Sequence, residues 1–217
     1  MEPLQPQLDG TTNYFLENLP KEVNATFQEV LDTALEKHIA ENTLKIGDRM
    51  EDFVLPTSNG GTFSLYEKLT EGPVVLTFYR GSWCPYCNLT LKAYEDALPE
   101  IKDLGASLVA VTPEFPEKAQ ETVTKEGIQF NVVTDSHNQL AEKLGLLFYQ
   151  DDIAVSTMKE LGFDMEIYYG KDEGNILPIP ATFIIKTDGK LAFSYINPNY
   201  RFRAEPGEVL KVLKTIS

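Results

Sequence analysis

The spacing of hydrophobic positions changes along the chain and divides it into predicted helices and strands. Between Pro20 and Glu41, apolar residues recur every three or four positions, which predicts a helix. Residues 74–79 form a nearly continuous apolar run, VVLTFY, which is typical of a buried central strand. Further apolar strands are predicted at 107–112 and 130–134, and they alternate with predicted helices at 84–102, 116–126 and 139–144.

Two hairpins and a final helix complete the pattern. Apolar runs flank Gly-containing turns at 45–65 and 181–195, and residues 205–215 predict a closing helix. Strands alternating with helices indicate an α/β sandwich with a mixed central sheet flanked by helices. We expect one domain over 44–217, with a less regular insertion at about 146–178. Residues 1–43 are expected to form a flexible tail of about a dozen residues followed by a helical extension.

Charge and hydropathy narrow the classes of partner. The 217 residues carry 33 acidic and 19 basic side chains, a formal net charge of −14. Such a field repels phosphate backbones and anionic lipids, so we expect neither a nucleic-acid nor a membrane partner. No apolar run is long enough to span a bilayer. The N-terminus begins with Met, and it has neither a basic start nor an apolar stretch like that of a secretory signal. We therefore expect a cytoplasmic protein.

The two cysteines, Cys84 and Cys87, are the strongest chemical signal. They fall where a predicted buried strand ends and a helix begins. Unpaired main-chain N–H groups and the helix dipole favour a negative charge there, so we expect a lowered thiol pKa and solvent-reachable sulfurs. Arg80 would add positive potential.

The two-residue spacer allows Cys84 and Cys87 to close a disulfide within one helical turn. The pair then needs no distant resolving cysteine. Two alternatives are half of a zinc site, with His38 and His137 as further ligands, and two inert buried thiols. His38 and His137 lack ligand-like spacing, so we expect no metal and no other cofactor.

The segment strand–WCPYC–helix resembles the active site of the thioredoxin superfamily, and the wider pattern resembles its peroxiredoxin-like (AhpC/TSA-type) branch. The resemblance covers most of residues 44–216 and implies a thioredoxin-like sandwich. It rests on these segments: 46–48 (IGD), 52–55 (DFVL), 98–100 (LPE), 104–106 (LGA), 109–112 (VAVT), 140–145 (LAEKLG), 181–185 (ATFII) and 188–190 (DGK).

The chain departs from the peroxiredoxin pattern Pro-x-x-x-Thr-x-x-Cys at two positions. On that register Arg80 replaces the proline, Cys84 replaces the threonine, and Cys87 takes the position of the peroxide-attacking cysteine. The family's distant arginine would fall at Pro180, two residues before Thr182. Other donors would then have to activate the peroxide, and the candidates are Arg80, Arg201 and Arg203.

The same departures resemble thioredoxin-like reductases, in which a cis-proline before the last hairpin faces the cysteine pair. The resemblance implies a cis Ile179–Pro180 bond, with Cys84 attacking and Cys87 resolving. The two families therefore assign the nucleophile differently, and the sequence leaves that choice open. Supporting roles are expected for Pro180 and Thr182, for Trp83 as a lid beside the sulfurs, and for Tyr79 as a hydrogen-bond donor.

These observations favour a thiol-dependent peroxidase for hydrogen peroxide or organic hydroperoxides. Its cysteine pair would cycle between dithiol and disulfide, and an external dithiol such as thioredoxin would reduce it. The alternatives are a general thiol–disulfide oxidoreductase and a non-enzymatic redox-sensing module. A homodimer is expected only by analogy. The physiological substrate and reductant, and the roles of the N-terminal helix and of the insertion at 146–178, stay open.

Overall fold

The computed structural model describes residues 2–37, 40–171 and 173–216. Its helices are α1 Leu4–Asn18, α2 Lys21–Glu36, α3 Leu65–Leu69, α4 Pro85–Asp103, α5 Pro116–Glu126, α6 Gln139–Lys143, α7 Asp152–Glu160, α8 Glu166–Tyr169 and α9 Pro206–Ile216. Its strands are β1 Val54–Pro56, β2 Thr62–Ser64, β3 Val74–Phe78, β4 Ser107–Thr112, β5 Asn131–Thr134, β6 Leu147–Tyr149, β7 Ile176–Pro178, β8 Ala181–Ile185 and β9 Leu191–Ile196.

A five-stranded mixed sheet lies at the centre, in the order β5-β4-β3-β8-β9. Strands β3, β4 and β5 run parallel, and β8 and β9 run antiparallel to their neighbours. Every residue of β3 is buried, as its continuous apolar run predicts. The predicted thioredoxin-like α/β sandwich with a mixed sheet is confirmed.

Alternate residues of the central strands pack into two hydrophobic cores, one on each face of the sheet. Val75 of β3 packs into the core that contains α4, α9 and α1, whereas Val74, Leu76 and Phe78 pack into the core on the opposite face. This division follows from the two-residue period of a strand, in which successive side chains point to opposite faces. The cysteines belong to the first of these cores, so the pair lies on the helix-covered face where α1 also packs.

The prediction of a flexible N-terminal tail is wrong, because residues 4–18 form α1. Leu4 and Leu8 are fully buried, and α1 packs against α4. The carboxylate of Glu205 accepts hydrogen bonds from the first main-chain N–H groups of α1, those of Leu4 (2.9 Å) and Gln5 (2.7 Å). Local propensity gives little sign of this helix, since it contains Gly10 and few apolar residues. Its stability comes from a distant carboxylate and from packing.

The segment 146–178 is more regular than expected. Strands β6 and β7 pair antiparallel at its two ends, and α7 packs against α2. The apolar spacing between Val155 and Leu161 predicts a short helix, which is present as α7, whereas α8 and the strand pair were not predicted. The domain boundary at residue 43 stays a prediction. None of the helices in the described part of the chain is both long and apolar enough to cross a bilayer.

Candidate active site

The reactive pair lies at the junction between β3 and α4. The chain leaves β3 at Phe78, turns through residues 79–83, and enters α4 with Cys84 as its N-cap and Cys87 in the first turn. Pro85 is the first helical residue, where its missing N–H costs no hydrogen bond. Gly81 is required here, because a Cβ atom would lie 2.6 Å from the Trp83 indole nitrogen and 2.9 Å from a Glu114 oxygen.

The two sulfurs share a hydrogen bond, with 2.8 Å between the Sγ atoms. Both are free thiols, so a small side-chain rotation suffices to close the disulfide. Neither cysteine has exposed surface, so the expectation of solvent-reachable sulfurs is wrong. The reason is tertiary: α1, the 146–178 segment and the loop before α9 cover the start of α4, and no local pattern around the cysteines encodes them.

Each sulfur has its own guanidinium group. Nη2 of Arg80 lies 3.3 Å from Sγ of Cys84, and Nη2 of Arg203 lies 3.7 Å from Sγ of Cys87. Both arginines are buried. Within the described residues, no carboxylate lies within ion-pair distance of either one. An uncompensated buried charge is costly, so the sulfurs are the natural counter-charges.

The two thiols differ in acidity. Burial and the hydrogen bond with Cys87 raise the pKa of Cys84 well above its usual value. Burial acts in the same direction on Cys87. There, however, the hydrogen bond with Cys84 and the positive charges of Arg203 and Arg80 outweigh it and hold the pKa well below its usual value. The charges around the pair therefore favour Cys87 over Cys84 as the thiolate.

Aromatic rings hold Arg80 in place. Its guanidinium lies 4.0 Å from the centroid of the Tyr200 ring and 5.2 Å from that of Trp83. The indole N–H of Trp83 donates to the Tyr169 hydroxyl, which in turn donates to the main-chain carbonyl of Arg80 at 2.7 Å. Tyr169 ends α8, so the 146–178 segment fixes the active-site loop directly.

Glu114 is a buried carboxyl group that the sequence analysis missed. It accepts hydrogen bonds from the Ser82 main-chain N–H (2.8 Å) and hydroxyl (2.6 Å). Burial raises the pKa of Glu114 to about 7, and the two hydrogen bonds from Ser82 offset part of that effect. The residue follows β4 and reaches the turn after β3, which is its parallel neighbour. Because further acidic residues follow on α5, no local pattern in the sequence indicated that Glu114 would be buried.

A cavity of about 660 Å³ adjoins the pair. Its walls come from α1, α2, α5 and the segment from α7 to α8, and most of the side chains from α1, α2 and α7 to α8 are apolar. Trp83 and Cys84 line it, whereas Cys87 does not. The apolar lining residues are Phe15, Leu19, Phe27, Val30, Met158, Leu161 and Phe163. Trp83, next to Cys84 in the chain, lies in the cavity lining, and its expected role as a lid stays a prediction.

Three predicted supporting residues do not line the cavity. Tyr79 is buried and is not among the lining residues. The hydroxyl of Thr182 shares hydrogen bonds with Thr77 and Tyr94. Pro180 contributes to a separate small cavity beside Arg80.

The predicted cis bond before Pro180 is wrong, because the Ile179–Pro180 bond is trans. The extended chain of β7 continues through Ile179, whose N–H donates to the Leu146 carbonyl, and leads directly into β8.

The remaining candidate residues are two arginines and two histidines. Arg203 reaches a sulfur, but Arg201 instead donates to Gln28 on α2. Of the histidines in the zinc alternative, His137 pairs with Glu173 at 2.9 Å, and His38 lies outside the described residues. The described residues contain no group of three or more His, Cys, Asp or Glu side chains placed to hold a metal ion.

Comparison with known proteins finds a family whose model matches this chain and solved structures that share its fold. The model of the AhpC/TSA family matches residues 46–194. Peroxiredoxin Bcp of Escherichia coli K12 is 29% identical over 106 residues, which span 48% of this chain and 67% of that protein.

Two solved structures share the fold. The crystal structure of peroxidoxin BcpB from Mycobacterium tuberculosis has a TM-score of 0.62 and 22% identity, over 80% of this chain and 99% of that one. A structure of Xanthomonas campestris bacterioferritin comigratory protein, from work on its alkyl peroxide reduction activity, has a TM-score of 0.56 and 19% identity. That match covers 75% of this chain and 90% of the other.

Proposed function

The chain belongs to the AhpC/TSA family, and from that premise we propose that it is a thiol peroxidase that reduces hydrogen peroxide or organic hydroperoxides. Its Cys84–Cys87 pair would cycle between dithiol and disulfide. One observation carries the proposal: two sulfurs 2.8 Å apart each face a buried guanidinium group that has no carboxylate partner in the described structure. A thiolate held by fixed positive charge is the species that attacks an O–O bond.

The cavity supports organic hydroperoxides as well as hydrogen peroxide. Hydrogen peroxide is little larger than a water molecule, whereas the cavity holds about 660 Å³ and is lined by Phe15, Phe27 and Leu161. An apolar lining favours a substrate with an apolar body, because transfer of that body out of water is favourable.

An external dithiol of the thioredoxin type would return the disulfide to the reduced form. The pair has no other cysteine to exchange with, since the chain contains only two. A cytoplasmic location would suit a pair that must be reduced repeatedly. The homodimer expected by analogy stays a prediction.

The proposal is tested by mixing reduced protein with hydrogen peroxide or cumene hydroperoxide in a stopped-flow instrument. Trp83 is the single tryptophan and lies beside the pair, so its fluorescence reports oxidation. We expect a second-order rate constant at least a hundredfold above that of a free thiol at the same pH. A rate constant no higher than that of the free thiol would contradict peroxidase function.

A general thiol–disulfide oxidoreductase remains the second candidate, because Cys84 stands where peroxiredoxins carry threonine. The trans Ile179–Pro180 bond removes one of the features that favoured it. Reduction of insulin disulfides separates the two functions. Fast insulin reduction combined with slow oxidation by peroxide would favour the second candidate. If both reactions are slow and oxidation changes the oligomeric state, the sensing module is favoured.

A further inference from the structure

We propose that Cys84 is the sulfur that attacks the peroxide, and that Cys87, held by Arg203, is both its base and its resolving partner. The inference rests on the proposed function and assigns the roles within it. It reverses the register of the family pattern, which puts the attacking sulfur at position 87. Three features of the site support it: access, the placement of charge, and the contact between the sulfurs.

Access distinguishes the two cysteines. Cys84 lines the cavity together with Trp83 and Tyr200, whereas Cys87 is absent from its lining and lies against Arg203. Because Cys84 has no exposed surface at rest, a side chain of the cavity wall must move before a substrate reaches Sγ. A substrate in the cavity therefore meets Cys84 first.

Charge placement makes Cys87 the proton acceptor for Cys84. Nη2 of Arg203 lies 3.7 Å from Sγ of Cys87 and favours a thiolate there, 2.8 Å from Sγ of Cys84. Once it has formed, the thiolate of the less acidic Cys84 is the stronger nucleophile. A proton can pass directly between two sulfurs in this contact. Nη2 of Arg80, 3.3 Å from Sγ of Cys84, is placed to stabilise the charge that arrives there.

The reaction balances as two steps. In the first, Cys84 passes its proton to Cys87 and attacks the terminal oxygen of the hydroperoxide, so that an S–O bond forms and the O–O bond breaks. The departing alkoxide takes the proton back from Cys87, which leaves an alcohol, a Cys84 sulfenic acid and a Cys87 thiolate.

In the second step Cys87 attacks the sulfur of Cys84. The S–S bond forms, the S–O bond breaks, and the hydroxide that leaves takes a proton from solvent. The sulfurs lose two electrons, and the peroxide gains them. An external dithiol then reduces the disulfide.

Arg203 is the residue that separates this scheme from the family pattern. It follows β9 and lies outside the segment 46–194 that the family model matches. The family's arginine position is occupied by Pro180, which cannot donate. Arg203 reaches the pair from the loop before α9, through a different part of the chain, and it contacts the sulfur that holds the charge.

The decisive experiment compares Cys84→Ser with Cys87→Ser. Each reduced variant is mixed with cumene hydroperoxide in the presence of dimedone, and the adduct is located by mass spectrometry. Because Cys87→Ser also removes the base, the reaction is run at pH 9, where solvent hydroxide can take the proton of Cys84. We expect at least tenfold more dimedone adduct in Cys87→Ser, whose single sulfur is Cys84, than in Cys84→Ser. A smaller ratio overturns the assignment. Circular dichroism checks that both variants fold.

A second measurement tests Arg203 by a property that packing alone would not change. Thiolate absorbance at 240 nm and pH 7 should fall by at least half in Arg203→Met and recover in part in Arg203→Lys. Arg201→Met is the matched control, because Arg201 lies on the same loop and touches neither sulfur. Wild-type absorbance in Arg203→Met would overturn the role given to Arg203.

Failure of the inference and failure of the proposed function give different results. If the wild type is oxidised no faster than a free thiol, the peroxidase function fails whichever cysteine attacks. The assignment is then judged by 4,4′-dithiodipyridine, which labels the attacking sulfur without any peroxide. Faster labelling of Cys87→Ser, in which Cys84 is the single cysteine, than of Cys84→Ser supports the inference, and the reverse order overturns it.

Discussion

The floor and the walls of the active-site cavity have different origins. The floor consists of residues 79–87 with the strands beneath them, and it lies within the segment that matches the AhpC/TSA family. The walls are α1, α2, α5 and the segment from α7 to α8. Of these, α1 and α2 precede the matched segment, whereas α5, α7 and α8 lie within it. The floor carries Arg80, which touches the sulfur of Cys84. Most of the side chains that α1, α2 and the segment from α7 to α8 present to the cavity are apolar, whereas those of α5 are polar or charged.

This division indicates that different residues control the reactivity of the cysteines and the access of substrates to them. A change in the floor should affect every substrate to the same extent, because it alters the nucleophile. A change in the walls should affect substrates according to their size. The two regions are joined at few points, among them the hydrogen bond between Thr12 and Tyr86 and the contact of Tyr169 with the Arg80 carbonyl.

The largest effect is expected from Arg80→Met in the floor. Loss of the guanidinium beside Cys84 should lower the rate constant of oxidation by roughly 100-fold, as does the loss of one donor that stabilises developing negative charge. The loss should be equal for hydrogen peroxide and cumene hydroperoxide in stopped-flow measurements. Arg201→Met is the control and should stay within about twofold of the wild type. A loss confined to the bulky substrate would place Arg80 functionally with the walls.

Glu114→Gln should remove a pH-dependent part of the stability that belongs to the floor. The folded protein raises the pKa of Glu114 from 4.5 to about 7, so the folded state holds this proton more tightly than the unfolded state. Stability from this group is full below pH 4.5 and is lost as the pH rises through 7. The free energy of unfolding should therefore fall by roughly 2 to 3 kcal/mol between pH 5 and pH 8 in the wild type.

Urea denaturation at the two pH values measures this loss, and Glu114→Gln should lack it. Glu117→Gln, an exposed carboxyl in the first turn of α5, serves as the control and should keep the wild-type dependence. An unchanged pH dependence in Glu114→Gln would show that the carboxyl is not held protonated in the fold.

A smaller and selective effect is expected from Leu161→Trp in the walls. The larger side chain would fill part of the cavity, so reduction of cumene hydroperoxide should slow by about tenfold while reduction of hydrogen peroxide changes by less than about twofold. Peroxide consumption by the reduced protein measures both rates. Glu160→Trp, on the exposed end of α7, places the same side chain outside the cavity. Equal slowing of both substrates would contradict the separation of walls from floor.

The smallest effect is expected at the join between walls and floor. The hydroxyls of Thr12 on α1 and Tyr86 in the CPYC motif lie 3.0 Å apart. Tyr86→Phe should lower the free energy of unfolding by about 1 kcal/mol, because one partly buried hydrogen bond is lost. A double-mutant cycle with Thr12→Val isolates the pair, and a coupling energy near zero would show that this contact does not hold α1 to the active site.

The sequence predicted the floor well because its signals are local. A continuous apolar strand, Gly81, Pro85 and two cysteines three residues apart define a strand–turn–helix unit in which each residue's role depends on near neighbours. The strands of the central sheet, the final hairpin, α5 and the closing helix were predicted for the same reason, since their periodicity or turn chemistry is read within a short window.

Tertiary structure alone decided how the walls pack around the cysteines and which charged groups face the two sulfurs. The carboxylate that anchors α1 lies about 200 residues away in the chain, at Glu205. The guanidinium beside Cys87 comes from Arg203, 116 residues beyond it. A sequence pattern gives the identity of a residue and of its neighbours along the chain. Burial and long-range electrostatic interactions depend instead on which distant segments pack against that residue. The sequence therefore determined that two cysteines lie three residues apart at the start of a helix, and only the fold decided which guanidinium group faces each sulfur and which cysteine lines the cavity.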